Sequence, residues 1–159
     1  MTWPEPVERV SAYLRDAAVE ARIEEFGEGT PTAREAARAV GCELSQIVKS
    51  LVFVCDGAFV IALVPGDRRA DEAAVGAAAG AELVRIARPD EVLHATGFEP
   101  GGVAPFPTRA VTQTLMDRSL LVHQEVWVGA GSPAHMAALA PGELLRLSRA
   151  RAVDLTPHG

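Results

Sequence analysis

Residues 47–65 read IVKSLVFVC-DG-AFVIALVP, two apolar runs joined by Asp-Gly. Runs rich in β-branched and aromatic residues on either side of Asp-Gly are typical of a β-hairpin with a tight two-residue turn. Because side chains alternate between the two faces of a strand, Lys49 lies on one face of the first strand and Ser50 on the other. Both faces are otherwise mostly apolar, which predicts that this strand is buried on both sides.

Helices and strands alternate on either side of this hairpin. Apolar periodicity, the Thr32–Glu35 capping box and terminal glycines predict helices at 7–19, 32–40, 71–79, 89–95 and 141–148. Strands are predicted at 22–26, 82–86, 110–116, 125–129 and 152–155, and loops at 27–31 and 97–107. We therefore predict a single α/β domain over residues 1–159, with a mixed, partly closed β-sheet and helices packed outside it.

Length and charge limit the class of protein. The 159 residues carry 15 basic and 21 acidic side chains, for a formal charge of -6. The length favours one domain, and the acidic balance excludes a generally basic protein that coats DNA. A nucleic-acid partner would have to contact a local patch of arginines. The candidates, which could equally form a solubilising surface, are Arg68, Arg69, Arg146, Arg149 and Arg151.

Other patterns exclude further sites and locations. The first ten residues lack the basic and apolar regions of a signal peptide, and no run approaches the ~18 apolar residues of a membrane span. Cys42 and Cys55 lack CxxC spacing and are interpreted as reduced thiols, which indicates a cytoplasmic protein. The four histidines show no metal-ligand spacing, so no metal site is predicted.

Lys49 is unusual in this composition, because the other 14 basic residues are all arginine. A lysine in a strand with two apolar faces is costly to bury without a partner, and such groups are often functional. Two other interpretations remain open. Lys49 could be an edge residue that extends to water, or it could be left by chance in a chain biased towards arginine.

Two glycine-rich segments could offer backbone N–H donors to a ligand. The first reads TGFEPGGVAP (96–105) and the second GAGSP (129–133). Neither matches a nucleotide P-loop or a GxGxxG fingerprint, and each could equally be a tight connection. Ser132 lacks the GxSxG elbow around it, which argues against a hydrolase triad.

The order of the motifs along the chain identifies a family more specifically than any one of them does alone. The motifs are IVKSLVF (47–53), PGDRR (65–69), GFEPG (97–101) with its continuation, VWVGAGSP (126–133) and the closing segment 141–155. With these motifs in this order, the chain resembles the YbaK/prolyl-tRNA-synthetase-associated family of trans-editing aminoacyl-tRNA deacylases. The resemblance covers nearly the whole chain.

The resemblance implies a mixed α/β fold like the domain that edits within bacterial prolyl-tRNA synthetases. It implies hydrolysis of the ester that joins a wrong amino acid to the terminal adenosine of tRNA(Pro). The implied partners are the 3′ end of an aminoacyl-tRNA and a prolyl-tRNA synthetase, with no DNA, membrane or cofactor. Lys49 matches the essential, catalytic lysine of the family. The implied substrate-binding residues are Ser50, Gly97, Pro100, Gly101, Gly102, Gly131 and Ser132.

One segment departs from the branch that acts on Cys-tRNA(Pro). Residues 133–136 read PAHM, where that branch often has Arg-Gly-hydrophobic-Asp. The difference favours a sibling branch that clears alanine, serine, threonine or a similar small residue.

The sequence also suggests a mechanism, since no histidine–carboxylate pair stands at a motif position. We expect Lys49 and the backbone N–H groups near Gly101 to position the ester for attack by water, with help from a ribose hydroxyl. Two other classes stay open. One is a non-catalytic tRNA- or nucleotide-binding module with the same pocket, and the other is a small-molecule-binding domain without a nucleic-acid role.

Overall fold

The computed structural model describes residues 3–26 and 32–156. The helices are α1 (Glu5–Asp16), α2 (Ala33–Val40), α3 (Glu72–Ala79), α4 (Pro89–Thr96) and α5 (Pro141–Ser148). The strands are β1 (Arg22–Glu25), β2 (Val48–Cys55), β3 (Ala58–Pro65), β4 (Val84–Ile86), β5 (Val111–Asp117), β6 (Val126–Ser132), β7 (His135–Leu139) and β8 (Arg151–Val153). Short 3-10 helices span Leu44–Gln46 and Arg118–Val122. The loop predicted at 27–31 lies outside the described residues.

The strands form two sheets. Five strands in the order β4-β2-β3-β5-β8 make a mixed sheet, in which β3, β5 and β8 run parallel and the other pairs antiparallel. Three strands in the order β1-β7-β6 make an antiparallel sheet. The sheets meet at a parallel bridge between Ile47 and Trp127. The predicted mixed α/β fold is confirmed, with its sheet divided into these two parts.

The predicted hairpin is β2–β3. Its register runs without a shift from Cys55–Ala58 to Val48–Pro65. Asp56 and Gly57 have φ angles of 50° and 83°, as the two central residues of a type I′ turn require. The Asp56 carboxylate accepts hydrogen bonds from the Glu82 and Leu83 N–H groups, which attaches the turn to the segment entering β4.

The helix boundaries follow the predicted caps. Thr32 accepts a hydrogen bond from the Glu35 N–H at the start of α2, and Gly41 ends that helix in the left-handed conformation. Asp71 and Gly80 do the same for α3. The helix predicted at 7–19 is displaced towards the N-terminus, because α1 begins beside its prolines and ends at Asp16.

Strand β7 is the strand that the sequence pattern missed. Its sequence, HMAAL, contains no β-branched residue and no alternation of apolar and polar side chains. It lies at the centre of the three-stranded sheet, with all five residues buried, so tertiary packing rather than local propensity makes it a strand. The segment 130–132 likewise extends β6 instead of forming a loop.

The alternation predicted for β2 separates two regions of the core. Val48 and Val52 pack in the largest apolar cluster, which draws on both sheets, α1 and α5. Phe53 packs on the opposite face, in a cluster with Val75 of α3. Lys49 and Ser50 therefore lie on opposite faces of one strand, where it leaves the core.

No helix in the described ranges is long and apolar enough to cross a membrane. Within the same ranges, no group of three His, Cys, Asp or Glu side chains is placed to hold a metal ion.

Candidate functional site

A cavity of about 310 Å³, which we call the inner cavity, lies among α2, the start of β2 and the β6–β7 hairpin. Four predicted site residues line it: Lys49, Ser50, Gly101 and Ser132. These residues come from three separate parts of the chain. The Ile47–Trp127 bridge brings them together, because it holds the start of β2 against β6.

Lys49 lies half-buried at the edge of the inner cavity. Its Nζ donates a hydrogen bond to the Arg68 carbonyl oxygen. Burial lowers the pKa of the Lys49 ammonium, and the nearby Arg69 guanidinium lowers it further, while Asp67 acts in the opposite direction. The ammonium thus has a backbone acceptor on one side, and two of its three donors have no partner among the described residues.

Ser50 supplies a polar group on the other face of β2. Its Oγ is inaccessible to solvent and has no hydrogen-bond partner among the described residues. A buried hydroxyl without a partner carries a desolvation cost of about 1–3 kcal/mol.

Gly101 enters the cavity from a tight turn. The Gly102 N–H donates to the Glu99 carbonyl, and Gly101 has a φ of 89°, so residues 99–102 form the type II turn that Pro-Gly favours. Gly102 itself packs against the backbone of Ser132, and the Gly131 N–H donates to the Gly102 carbonyl. The turn is therefore fixed to the β6–β7 hairpin.

The remaining predicted residues do not line the inner cavity. Gly97 ends α4 in the left-handed conformation, and its carbonyl accepts a hydrogen bond from Arg9. Pro100 is exposed on the turn. Gly102 and Gly131 sit in close backbone contacts, with Ser132 and Pro6 respectively. These four positions shape and anchor the loop, while Gly101 reaches the cavity.

His135 is the site residue that sequence reasoning missed. Its side chain is almost completely buried, and its Nδ1 lies 2.6 Å from the Ser132 Oγ. Its Nε2 lies 3.1 Å from the Glu25 Oε2, at ion-pair distance but without the alignment of a hydrogen bond. Both His135 and Ser132 line the inner cavity. The serine and the imidazole thus lie side by side on one wall of the cavity, and the Glu25 carboxylate lies behind the imidazole, outside the lining.

A weak signal for this group was present in the sequence. Ser132 and His135 stand three residues apart across the β6–β7 turn and pair across the hairpin. Glu25, however, lies 110 positions away from His135 in the sequence and comes opposite it only through the pairing of β1 with β7. The prediction that no histidine–carboxylate pair stands at a motif position does not describe the folded protein.

Comparison with known proteins gives the family. A family model described as an aminoacyl-tRNA editing domain matches residues 27–147. This chain belongs to the aminoacyl-tRNA editing family. The resemblance stated from the sequence motifs is thereby confirmed, and the matched range contains Lys49, Gly101, Ser132 and His135.

Individual relatives agree with this membership. The uncharacterized protein YwhH of Bacillus subtilis (strain 168) is 36% identical over 127 residues, which cover 79% of this chain and 80% of YwhH. A proline–tRNA ligase of Xanthomonas oryzae pv. oryzae is 31% identical over 137 residues. That match covers 84% of this chain but 24% of the ligase.

A solved structure also matches this member of the family along its length. It superposes with a TM-score of 0.92 and 36% identity, and the match covers 99% of this chain and 100% of the other. That protein is provisionally described as a trans-editing enzyme for prolyl-tRNA synthetase.

Proposed function

We propose that this protein is a trans-acting deacylase, which hydrolyses the ester between a small wrong amino acid and the terminal ribose of tRNA(Pro). The observation that carries the proposal is the inner cavity itself. One pocket combines a cation, an unpartnered hydroxyl, a glycine turn and a serine–histidine pair, at sequence motifs of an editing family. These are the groups that hydrolysis of a carboxylic ester requires.

Lys49 and the turn at Gly101 bind the ester in this proposal. The Lys49 ammonium attracts the electron-rich 3′ end of the tRNA, and the backbone N–H of Gly101 itself polarises the carbonyl oxygen, because Pro100 has no N–H and the Gly102 N–H already donates to Glu99. Donors held in place by folding need no reorganisation as charge develops on that oxygen. The attachment of the turn to the β6–β7 hairpin keeps these donors at a constant distance from Ser132.

The group formed by Ser132, His135 and Glu25 supplies the base. The Glu25 carboxylate favours a proton on the nearer nitrogen, Nε2, which leaves Nδ1 to accept from the Ser132 hydroxyl. A water that attacks the carbonyl passes a proton to the Ser132 Oγ as that hydroxyl passes its own to His135. The imidazolium returns the proton by the same path to the departing ribose oxygen. The amino acid leaves as its carboxylic acid, which loses the remaining water proton to solvent.

The lining of the inner cavity favours a small apolar side chain on the substrate. Ala33, Ala36, Ile47, Val103 and Met136 form much of its wall. Among the described residues, no carboxylate lines it, so no acidic group faces the amino group of the substrate there. A synthetase rejects a side chain smaller by one methylene by only about 1–3 kcal/mol, so hydrolysis at a second site supplies the missing discrimination.

The test is a deacylation panel with Ala-, Ser-, Thr- and Cys-charged tRNA(Pro) and with Pro-tRNA(Pro) as the control. We expect hydrolysis of at least one small amino acid and none of proline. Lys49→Ala should lower kcat/KM about 100- to 1,000-fold, as removal of one electrostatic donor does. Near-normal turnover by Lys49→Ala would refute the role of the lysine. Binding of tRNA without hydrolysis of any member would favour a non-catalytic binding module.

A further inference from the structure

Lys49 and Leu51 line both the inner cavity and a second depression beside it. This outer hollow has a volume of about 250 Å³. Its apolar floor is formed by Leu51, Phe53 and Ile86. The three side chains share one face of the sheet. Leu51 and Phe53 are two residues apart in β2 and therefore point to the same face, and Ile86 of β4 pairs directly with Phe53. Ile86 is 54% exposed, so part of this apolar surface is open to a ligand.

The rim of the outer hollow carries cations. Lys49 and Arg69 both line it, and Arg68 holds Lys49 through its carbonyl oxygen. Six other arginines form salt bridges, but among the described residues neither Lys49, Arg68 nor Arg69 has a carboxylate within salt-bridge distance. These three neighbouring cations outnumber the two nearby carboxylates, Asp67 and Glu72, so the rim can attract an anion although the chain has a formal charge of -6.

One acidic group completes the lining. Glu72, at the start of α3, lies at the rim of the same hollow. A carboxylate accepts hydrogen bonds from an exocyclic amino group, as adenine and cytosine carry. The hollow thus combines a flat apolar surface, an anion site and an acceptor for an amino group.

We propose that the outer hollow is the subsite for the terminal adenylate of the tRNA. Its base lies on Leu51 and Ile86, its amino group faces Glu72, and its 5′ phosphate lies against Arg69. Lys49 stands between the two depressions, so an ester on the ribose can enter the inner cavity while the base stays outside. This inference rests on the proposed function. It adds a binding site for the base and the 5′ phosphate of the terminal nucleotide, which contribute to the affinity for the tRNA.

Two variants test the subsite, each with a matched control. Arg69→Ala removes the phosphate contact, and Ile86→Glu places a carboxylate on the apolar floor. The controls are Arg15→Ala, on the exposed side of α1, and Leu83→Glu, which is more exposed than Ile86 and lies outside the hollow. Circular dichroism and thermal melting establish that all four variants are folded before they are compared.

The first measurement is binding of adenosine 5′-monophosphate, which requires no deacylation. We expect chemical-shift changes at Phe53 and Ile86, which line the outer hollow but not the inner cavity, and a loss of affinity of roughly tenfold in each test variant but in neither control. Inosine 5′-monophosphate, which lacks the amino group, should bind more weakly, and inorganic phosphate should leave Ile86 unperturbed. Shift changes confined to the inner cavity, or equal losses in a test variant and its control, would overturn the proposal.

The second measurement is deacylation of the tRNA that the panel identifies. Both test variants should raise KM roughly tenfold and leave kcat within about threefold, because they remove binding that is equal in the ground and transition states. Arg69→Ala should also make the slope of log(kcat/KM) against log salt concentration less steep by about 0.7. This is the change expected when a protein loses its contact with one phosphate of a single strand. If the wild-type protein deacylates and Arg69→Ala leaves both KM and the salt dependence unchanged, the subsite is refuted while the function stands. If the protein binds adenylate in the hollow and hydrolyses none of the panel, the deacylase function fails and the subsite stands.

Discussion

The close contact between Gly102 and Ser132 holds the turn of residues 99–102 against the β6–β7 hairpin. A Cβ at Gly102 would lie 2.6 Å from the Ser132 Cα and 2.9 Å from the Ser132 N and C atoms. All three are backbone atoms, so no side chain can rotate away. To restore an ordinary contact of 3.4 Å, the loop and the strand would have to separate by about 0.8 Å.

Gly102→Ala should therefore affect stability and activity together. Overpacking of this kind costs about 1–3 kcal/mol, and each 1 kcal/mol lowers Tm by about 2–4 °C in a chain of this size. The same displacement moves Gly101 away from Ser132 and His135. A misplacement of about 1 Å at a reacting centre can lower the rate about 100-fold.

The assay compares this variant with Gly142→Ala. A Cβ at Gly142 meets nothing within 4 Å, and the residue lies in α5 without a positive φ, so alanine there should stabilise by about 0.5–1 kcal/mol and leave kcat unchanged. Urea unfolding gives the free energies, and single-turnover deacylation gives the rate. A Gly102→Ala protein with the stability and single-turnover rate of wild type would refute the reasoning.

Three further predictions concern titratable groups. Because the pKa of Lys49 is lowered, kcat/KM should fall as pH rises, and the fall should begin at a lower pH than the titration of a free lysine. A profile, corrected for uncatalysed ester hydrolysis, that shows no fall before a free lysine titrates would contradict a charged Lys49. Glu25→Gln should lower kcat about 10- to 100-fold with little change in KM, since the amide no longer favours a proton on Nε2 of His135; single-turnover rates that match wild type would exclude the relay. Burial alone would raise the pKa of Asp117, but hydrogen bonds from Ser119 and the 155–156 backbone outweigh it, so the pKa is lowered in the folded protein. The carboxylate therefore stabilises the fold at neutral pH, and this stabilisation is lost as pH falls through the folded pKa. Asp117→Ala should lower the free energy of unfolding by about 3 kcal/mol at pH 7 and less in acid, as measured in urea; an equal loss at both pH values would contradict the charged hydrogen bonds.

Local patterns were sufficient for most of the fold. The Asp-Gly turn, the side-chain alternation in β2 and the caps at Thr32, Asp71 and Gly80 all depend on residues within a few positions of one another. The physical causes are equally local, namely backbone φ preferences and the hydrogen bonds that end a helix. Strand β7 was missed because its alanines have no strong preference for a strand, and only burial between β1 and β6 makes it one.

For the site, the lone lysine in an apolar strand and the Pro-Gly-Gly turn were visible without a fold but left structural alternatives open, and the order of the motifs along the chain selected them through the family resemblance. Tertiary structure alone decided that His135 stands between Ser132 and Glu25, and that Lys49 separates two depressions. The physical reason is that the pairing of β1 with β7 and the bridge between Ile47 and Trp127 of β6 bring groups from distant parts of the chain close together. Such registers follow from burial of the whole sheet rather than from the spacing of any residues along the chain.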